Sequence, residues 1–161
     1  MNIYNNLLNI DKFKEIQNFI MGPYMPWFFN EGVATYKKDP YFQFTFNFVE
    51  EGKITCNEKH FQLVEPILKK INFKKLNRVR ANLLTKSNKI VEHGFHVDQE
   101  KGTTGILYLN NCNGYTKFKT GEKIKSKENT YVEFNSSLQH TGSSCTNKKR
   151  RVVINFNYEY I

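Results

Sequence analysis

Four residues in the second half of the chain are of types that could do chemistry together: His96 and Asp98 in "GFHVD", His140 in "LQHTG" and Arg151 in "KRRVVINF". If "IVEHGFHVD" is a strand, residues two apart point to the same face, so His96 and Asp98 project together while His93 turns away. Two neutral imidazole nitrogens and one carboxylate oxygen on one side of an octahedron leave three positions open, the arrangement associated with non-haem Fe(II). His140 lies 44 residues beyond His96, at the end of a short run, where a sandwich fold could bring it back as the third ligand. Arg151 opens an apolar strand. On alternation Arg151, Val153, Asn155 and Asn157 share one face, with Arg150, Val152, Ile154, Phe156 and Tyr158 on the other. If the Arg151 face is interior, its guanidinium needs an anion, because an unpaired buried charge is very costly. A dicarboxylate would supply one, and the planar fork of arginine suits bidentate carboxylate binding. The residues alone leave a plainer reading open, in which His96 caps a turn, His140 is a surface histidine and "NKKRR" is a hairpin turn with both arginines in water.

These side chains need a frame to hold them. "IDKFKEIQNFI" (10 to 20) places Ile10, Phe13, Ile16, Phe19 and Ile20 at helical spacing with Asp11 near the start, and "GPYMPW" ends it. "PWFF" and "YFQFTFNFV" follow, the latter alternating Phe with polar residues as a half-buried strand does, before the turn "EEGK". Residues 59 to 71, "KHFQLVEPILKKI", read as a second helix in which Pro66 forces a kink or a late start. From there the chain turns to β: "LNRVRANLL", "KIVEHGFHVD", "TTGILYLN", "GYTKF", "EKIKS", "TYVEFN" and "RRVVINFNYEY" are short β-branched or aromatic runs between polar turns. Many short, evenly spaced strands with helices only in front indicate a β-sandwich or barrel with helical support.

At 161 residues the chain suits one domain with a real core, and 14 Phe and 9 Tyr are too many for a disordered one. No apolar run is long enough to span a membrane, and the N-terminus lacks the pattern of a secretory signal. Three widely spaced cysteines, Cys56, Cys112 and Cys145, offer neither a disulfide framework nor a zinc motif and suit the cytoplasm. The net charge of +9 raises the question of nucleic acid, but the lysines are spread along the chain, and a solvated surface is the first reading.

Taken in order, His96 and Asp98, "YLN" (108 to 110), "GYTKF" (114 to 118), His140 and Arg151 resemble the 2-oxoglutarate/Fe(II)-dependent dioxygenases. The likeness is to the prolyl-4-hydroxylase-like branch and its phage-type members, and covers roughly residues 78 to 160. It implies a mainly β (α+β) fold, a double-stranded β-helix (jelly roll, cupin-like) in a single domain over 1 to 161. Residues 1 to 75 would support it, with two helices bracing one sheet. By the same resemblance, His96, Asp98 and His140 bind Fe(II). Arg151 holds the distal carboxylate of 2-oxoglutarate, Tyr108 bonds the same group, and Asn82 and Asn155 line the pocket. Prolyl hydroxylases usually carry Lys where Arg151 stands, which speaks against proline as substrate. The implied reaction hydroxylates a peptidyl side chain, a free amino acid or a small metabolite, consuming O2 and releasing succinate and CO2, with ascorbate allowed as an accessory. A phage origin would make the infected host cell the compartment. Two alternatives stand beside this reading: an oxygenase directed at nucleic acid, and a non-catalytic jelly-roll binding module. The absence of a second Arg in residues 152 to 161 counts against the first, and the intact set of ligand types counts against the second.

Overall fold

The computed structural model describes residues 1–34 and 40–160. Its elements, in chain order, are β1 (Asn2–Asn5), α1 (Ile10–Ile20), β2 (Phe28–Asn30), β3 (Gln43–Glu50), β4 (Lys53–Ile54), α2 (Glu58–Phe61), α3 (Glu65–Leu68), β5 (Lys75–Thr85), β6 (Thr103–Tyr108), β7 (Tyr115–Phe118), β8 (Lys123–Lys125), β9 (Thr130–Asn135), β10 (His140–Gly142) and β11 (Arg150–Glu159). The large sheet runs β1-β9-β6-β11-β5-β3-β2, with β4 paired to β3, and every strand pair in it is antiparallel. The small sheet runs β10-β7-β8.

The central strands of the large sheet are buried on both faces, and each face serves a different layer. The even-numbered side chains of β11 (Val152, Ile154, Phe156 and Tyr158) join Val79, Ala81 and Leu83 of β5 in a core against α1 and the α2–α3 segment. α1 starts where the Asn9 side chain accepts from the Asp11 amide, and buries Phe13, Ile16 and Ile20 in that core. Val153 on the opposite face of β11 packs with Ile106, Tyr108, Val132 and Phe134 against Phe118 of β7, which closes the two sheets over each other. This is the expected double-stranded β-helix, with the helices bracing one side of the large sheet. No helix among the described residues is long and apolar enough to cross a membrane.

Three features differ from the sequence reading. Residues 59 to 71 form two one-turn helices, because Pro66 lacks an amide hydrogen and sits at the first turn of α3. β1, exposed at all four positions, adds an edge strand to β9. The segment expected as a strand at 89 to 98 makes only isolated bridges, Glu92 to Ser143 and His96 to His140. Its backbone bonds, among them His93 N–H to the Gly142 carbonyl and Ser144 N–H to the Val91 carbonyl, are interleaved with side-chain hydroxyls: Ser144 Oγ accepts from the Val91 amide at 2.9 Å, and Thr141 Oγ1 donates to the His93 carbonyl at 2.8 Å.

Candidate metal centre and anion pocket

His96 and His140 meet through one bridge, each amide donating to the other's carbonyl at 3.0 Å. That pairing brings the two imidazoles to a centroid separation of 4.7 Å. The chain then turns so that the Asp98 amide donates to the Ser136 carbonyl, and the carboxylate swings under both rings. His96 Nε2 lies 3.8 Å from Asp98 Oδ1 and His140 Nε2 3.7 Å from Oδ2, and one ligand atom of each residue falls within 4.8 Å of the others. Strand alternation was expected to align His96 with Asp98; the bridge to His140 and the turn that follows do it instead.

The ring tautomers follow from the partners. His96 Nδ1 lies 3.2 Å from the Gly94 carbonyl and His140 Nδ1 3.0 Å from the Leu138 carbonyl. A carbonyl can only accept, so each Nδ1 carries a hydrogen, and it is Nε2 of each ring that faces Asp98 and whose lone pair a metal would use. Donors about 2.1 Å from a common ion lie about 3 to 4 Å from one another, so the set fits a transition metal with little movement.

Asp98 is held from behind. Thr104 Oγ1 donates to Oδ2 at 2.7 Å, Asn157 Nδ2 to Oδ2 at 3.2 Å, and Arg78 Nη2 to Oδ1 at 3.3 Å. Arg78 Nε in turn fixes Asn157 Oδ1 at 2.9 Å. Burial alone would push the Asp98 carboxyl up, but His140, Arg78, the Thr104 hydroxyl and His96 together outweigh it and hold it below the usual carboxylate range. Burial pushes His140 down, against the pull of Asp98, which favours the neutral ring that ligates.

Arg151 lies on the same interior. It is 4 % exposed and has no carboxylate partner among the described residues. Nη2 donates to Thr116 Oγ1 at 3.2 Å, the guanidinium carbon stands 5.6 Å over the Tyr108 ring, and Nε has no hydrogen-bond partner. Burial drives its pKa down; a positive charge in this place calls for an anion. Tyr108 is fully buried and donates its hydroxyl to Thr116 Oγ1 at 2.9 Å. Arg150 points the other way, to the Met21 carbonyl, as alternation required.

A cavity of about 240 Å³ joins these parts, with His96, Asp98, His140, Arg151, Asn82 and Asn155 all in its wall. Tyr108 stands behind Arg151 and outside that wall. The buried Asn155 Oδ1 has no hydrogen-bond partner among the described residues, which fits a pocket awaiting a polar ligand. Sequence reasoning gave no role to Thr104, Thr116, Asn157, Arg78 or Gly114. A signal existed for some of them, since Arg78, Arg80 and Asn82 alternate along one face of β5 and Asn157 shares the face of Arg151. Gly114 has a steric reason: a Cβ there would stand 2.6 Å from Arg151 Cδ and 2.8 Å from the Ser144 carbonyl oxygen.

The sequence matches no protein-family profile and no curated protein. Solved structures do match in fold. A 2OG-Fe(II) oxygenase family oxidoreductase from Burkholderia pseudomallei superposes with a TM-score of 0.68 at 10% identity, covering 96% of this chain and 82% of that one. A prolyl hydroxylase from Trichoplax adhaerens, in complex with a peptide fragment of the hypoxia inducible factor oxygen degradation domain, gives 0.68 at 14% identity over 98% and 82% of the two chains. HygX from Streptomyces hygroscopicus, solved with nickel, 2-oxoglutarate and hygromycin B, gives 0.63 at 8% identity, again over 98% and 82%. At such identities the likeness is one of fold.

Proposed function

We propose that this protein is an Fe(II)- and 2-oxoglutarate-dependent oxygenase, with His96, Asp98 and His140 holding the metal and Arg151 the distal carboxylate of the keto acid. The observation that carries the reading is the buried Arg151 guanidinium, without a carboxylate partner among the described residues, in the wall of the same cavity as a His-Asp-His set. The fold likeness to oxygenases supports it, as does the joint presence of nickel and 2-oxoglutarate in HygX. Bound together, Fe(II) and 2-oxoglutarate supply the oxidising power to insert oxygen from O2 into a C–H bond, with succinate and CO2 as co-products.

The chain's own residues do the positioning. Thr116 Oγ1 accepts from both Tyr108 and Arg151, so its own hydrogen is left to donate into the cavity that it lines. Arg151 and Thr116 would thus grip the carboxylate, with Tyr108 orienting Thr116 from behind. Asn82 and Asn155 flank the remaining length of the co-substrate. Ile106, Val153 and Leu84 supply apolar wall that keeps water from the charged contacts. Thr104, Asn157 and Arg78 hold Asp98 in place, and no protein acid or base is required for the oxidation. The substrate is a peptidyl side chain, a free amino acid or a small metabolite, the first and last having counterparts in the peptide-bound hydroxylase and the hygromycin-bound enzyme.

Adding Fe(II) and then 2-oxoglutarate without oxygen should produce the visible charge-transfer band of a chelated keto acid, and His96→Ala should abolish it. A folded, initially metal-free wild type that shows no band refutes the reading.

A further inference from the structure

The substrate end of the cavity carries charge that neither metal nor co-substrate uses. On β5 the side chains of Arg78, Arg80, Asn82 and Leu84 face the cavity, while Val79, Ala81 and Leu83 face the helical core. Arg80 pairs in register with Asn155 of β11 on one side and Asn47 of β3 on the other, so it stands one strand outward from the β11 residues of the co-substrate pocket, toward β3.

The formal charges of the occupied centre leave one positive charge over. Two carboxylates of 2-oxoglutarate offset the metal's two positive charges, while Asp98 must serve both Arg151 and Arg78, the latter tied to it and to Asn157. Of the three arginines, Arg80 is the one whose carboxylate neighbour stands at the end of β3 and away from the centre. Its Nε donates to Asn47 Oδ1 at 2.6 Å and its Nη2 reaches Glu50 Oε2 at 3.3 Å, while Nη1 has no partner among the described residues. The Glu50 contact is a single bond to a side chain 38% exposed at the end of β3, a weak restraint that leaves part of the fork for something else. Asn47 fixes the plane of the guanidinium from the side away from β11. One more polar group, on β3, shares this part of the wall: Gln43 is anchored through Nε2 to the Gly32 and Val33 carbonyls, and its Oε1 makes no hydrogen bond among the described residues.

Resting on the oxygenase reading, we propose that Arg80 is the specificity-determining residue of the substrate subsite and that the substrate is a carboxylic acid whose carboxylate it binds. A neutral or cationic substrate would leave the side chain, 17% exposed, facing the filled cavity with donors unpaired and a charge no longer hydrated. A carboxylate answers both through the planar fork. At about 240 Å³ the cavity lies below the usual range for ligand pockets and must also take 2-oxoglutarate, so the group oxidised belongs to the small acid-bearing end of the substrate.

The test needs no turnover and no knowledge of the natural substrate. Zn(II) replaces Fe(II), 2-oxoglutarate is added to saturation, and the arginine Nε–H and the backbone amide resonances of β5 and β11 are followed by nitrogen-15 NMR while acetate is titrated in; acetamide is the neutral control. Saturable acetate binding is expected at the Arg80 Nε–H of the wild type and at the amides beside it; read at those amides, which the variants keep, it should be weakened about tenfold or more in Arg80→Gln, kept in part by Arg80→Lys, and not shared by acetamide. Acetate binding unchanged in Arg80→Gln, equal binding of acetamide, or no saturable binding to the wild type overturns the inference. Loss of the Fe(II)–2-oxoglutarate band in Arg80→Gln assigns the residue to the co-substrate and also overturns it, leaving the oxygenase reading intact. Absence of that band from the wild type instead defeats the oxygenase reading itself.

Discussion

Gly114→Ala tests how Arg151 is seated without touching a charge. The added Cβ would stand 2.6 Å from Arg151 Cδ, 3.3 Å from its Nε and 2.8 Å from the Ser144 carbonyl oxygen. Ordinary carbon contacts begin near 3.5 Å, so something must move by about 1 Å. The backbone at Ser144 is held, since its amide donates to the Val91 carbonyl at 2.9 Å. The guanidinium has little room to retreat, with Tyr108 under it, Thr116 at 3.2 Å and Gly142 close to Nη1. Overpacking of this kind costs about 1–3 kcal/mol of stability. A displacement of about 1 Å spoils the fork toward a carboxylate, a loss of about 1.5–3 kcal/mol for a hydrogen bond to a charged group, or about 10- to 150-fold in affinity. The assay is a 2-oxoglutarate titration of the Fe(II)-loaded protein by its visible band, with circular dichroism to confirm folding. Wild-type 2-oxoglutarate affinity in a folded Gly114→Ala protein would refute the claim that Arg151, seated by Gly114, is the anchor.

What could be read from the sequence follows the range of the interactions concerned. α1 was legible because an amphipathic stripe, an acidic residue near its start and a closing Gly-Pro all lie within a few residues of one another. The faces of β11 were legible although both are buried, because beyond Arg150 one runs Val152, Ile154, Phe156 and Tyr158 while the other mixes Arg151, Asn155 and Asn157 with Val153. β1 was not, because its four residues are exposed and its stabilising partner, Glu133, lies more than 120 positions away. The broken strand at 89 to 98 was not legible for the same reason: the hydroxyls interleaved with its backbone bonds belong to Thr141 and Ser144, which no local pattern marks.

The ligand types and Arg151 could be picked out as chemistry, but their convergence depends on a single bridge between His96 and His140. The supports of Asp98 were hidden because each comes from a different strand, Arg78 from β5, Thr104 from β6 and Asn157 from β11. The resemblance assigned Tyr108 a bond to the co-substrate; its hydroxyl donates to Thr116, which lies in the cavity wall, a contact that no spacing in the sequence marks.

Two predictions concern residues outside the ligand set. Thr104→Val keeps the shape at the metal centre but removes the 2.7 Å bond to Asp98 and an acceptor for Asn157; metal affinity should fall about 10- to 100-fold in a chelator competition, and an unchanged affinity would show that Thr104 plays no part in holding the ligand. Glu133 accepts from Asn2 at 2.9 Å, Tyr4 at 2.8 Å and Tyr158 at 3.0 Å, and so pins β1 to the sheet; Glu133→Gln should cost about 1–3 kcal/mol at neutral pH in denaturant unfolding. Burial would raise this carboxyl, but the hydrogen bonds from Asn2, Tyr160, Tyr4 and Tyr158 prevail and hold it below its ordinary value of 4.5. The unfolded chain therefore takes up the proton first as pH falls. The stabilisation is fully present above about pH 4.5 and is lost as pH drops through the lower folded value. The gap between wild type and Glu133→Gln should accordingly be constant from neutral pH down to about 4.5 and narrow below it, where the protonated carboxyl resembles the amide. A gap that stays constant into that acid range would mean that these bonds act by geometry alone and that the negative charge of Glu133 contributes nothing to holding the edge strand.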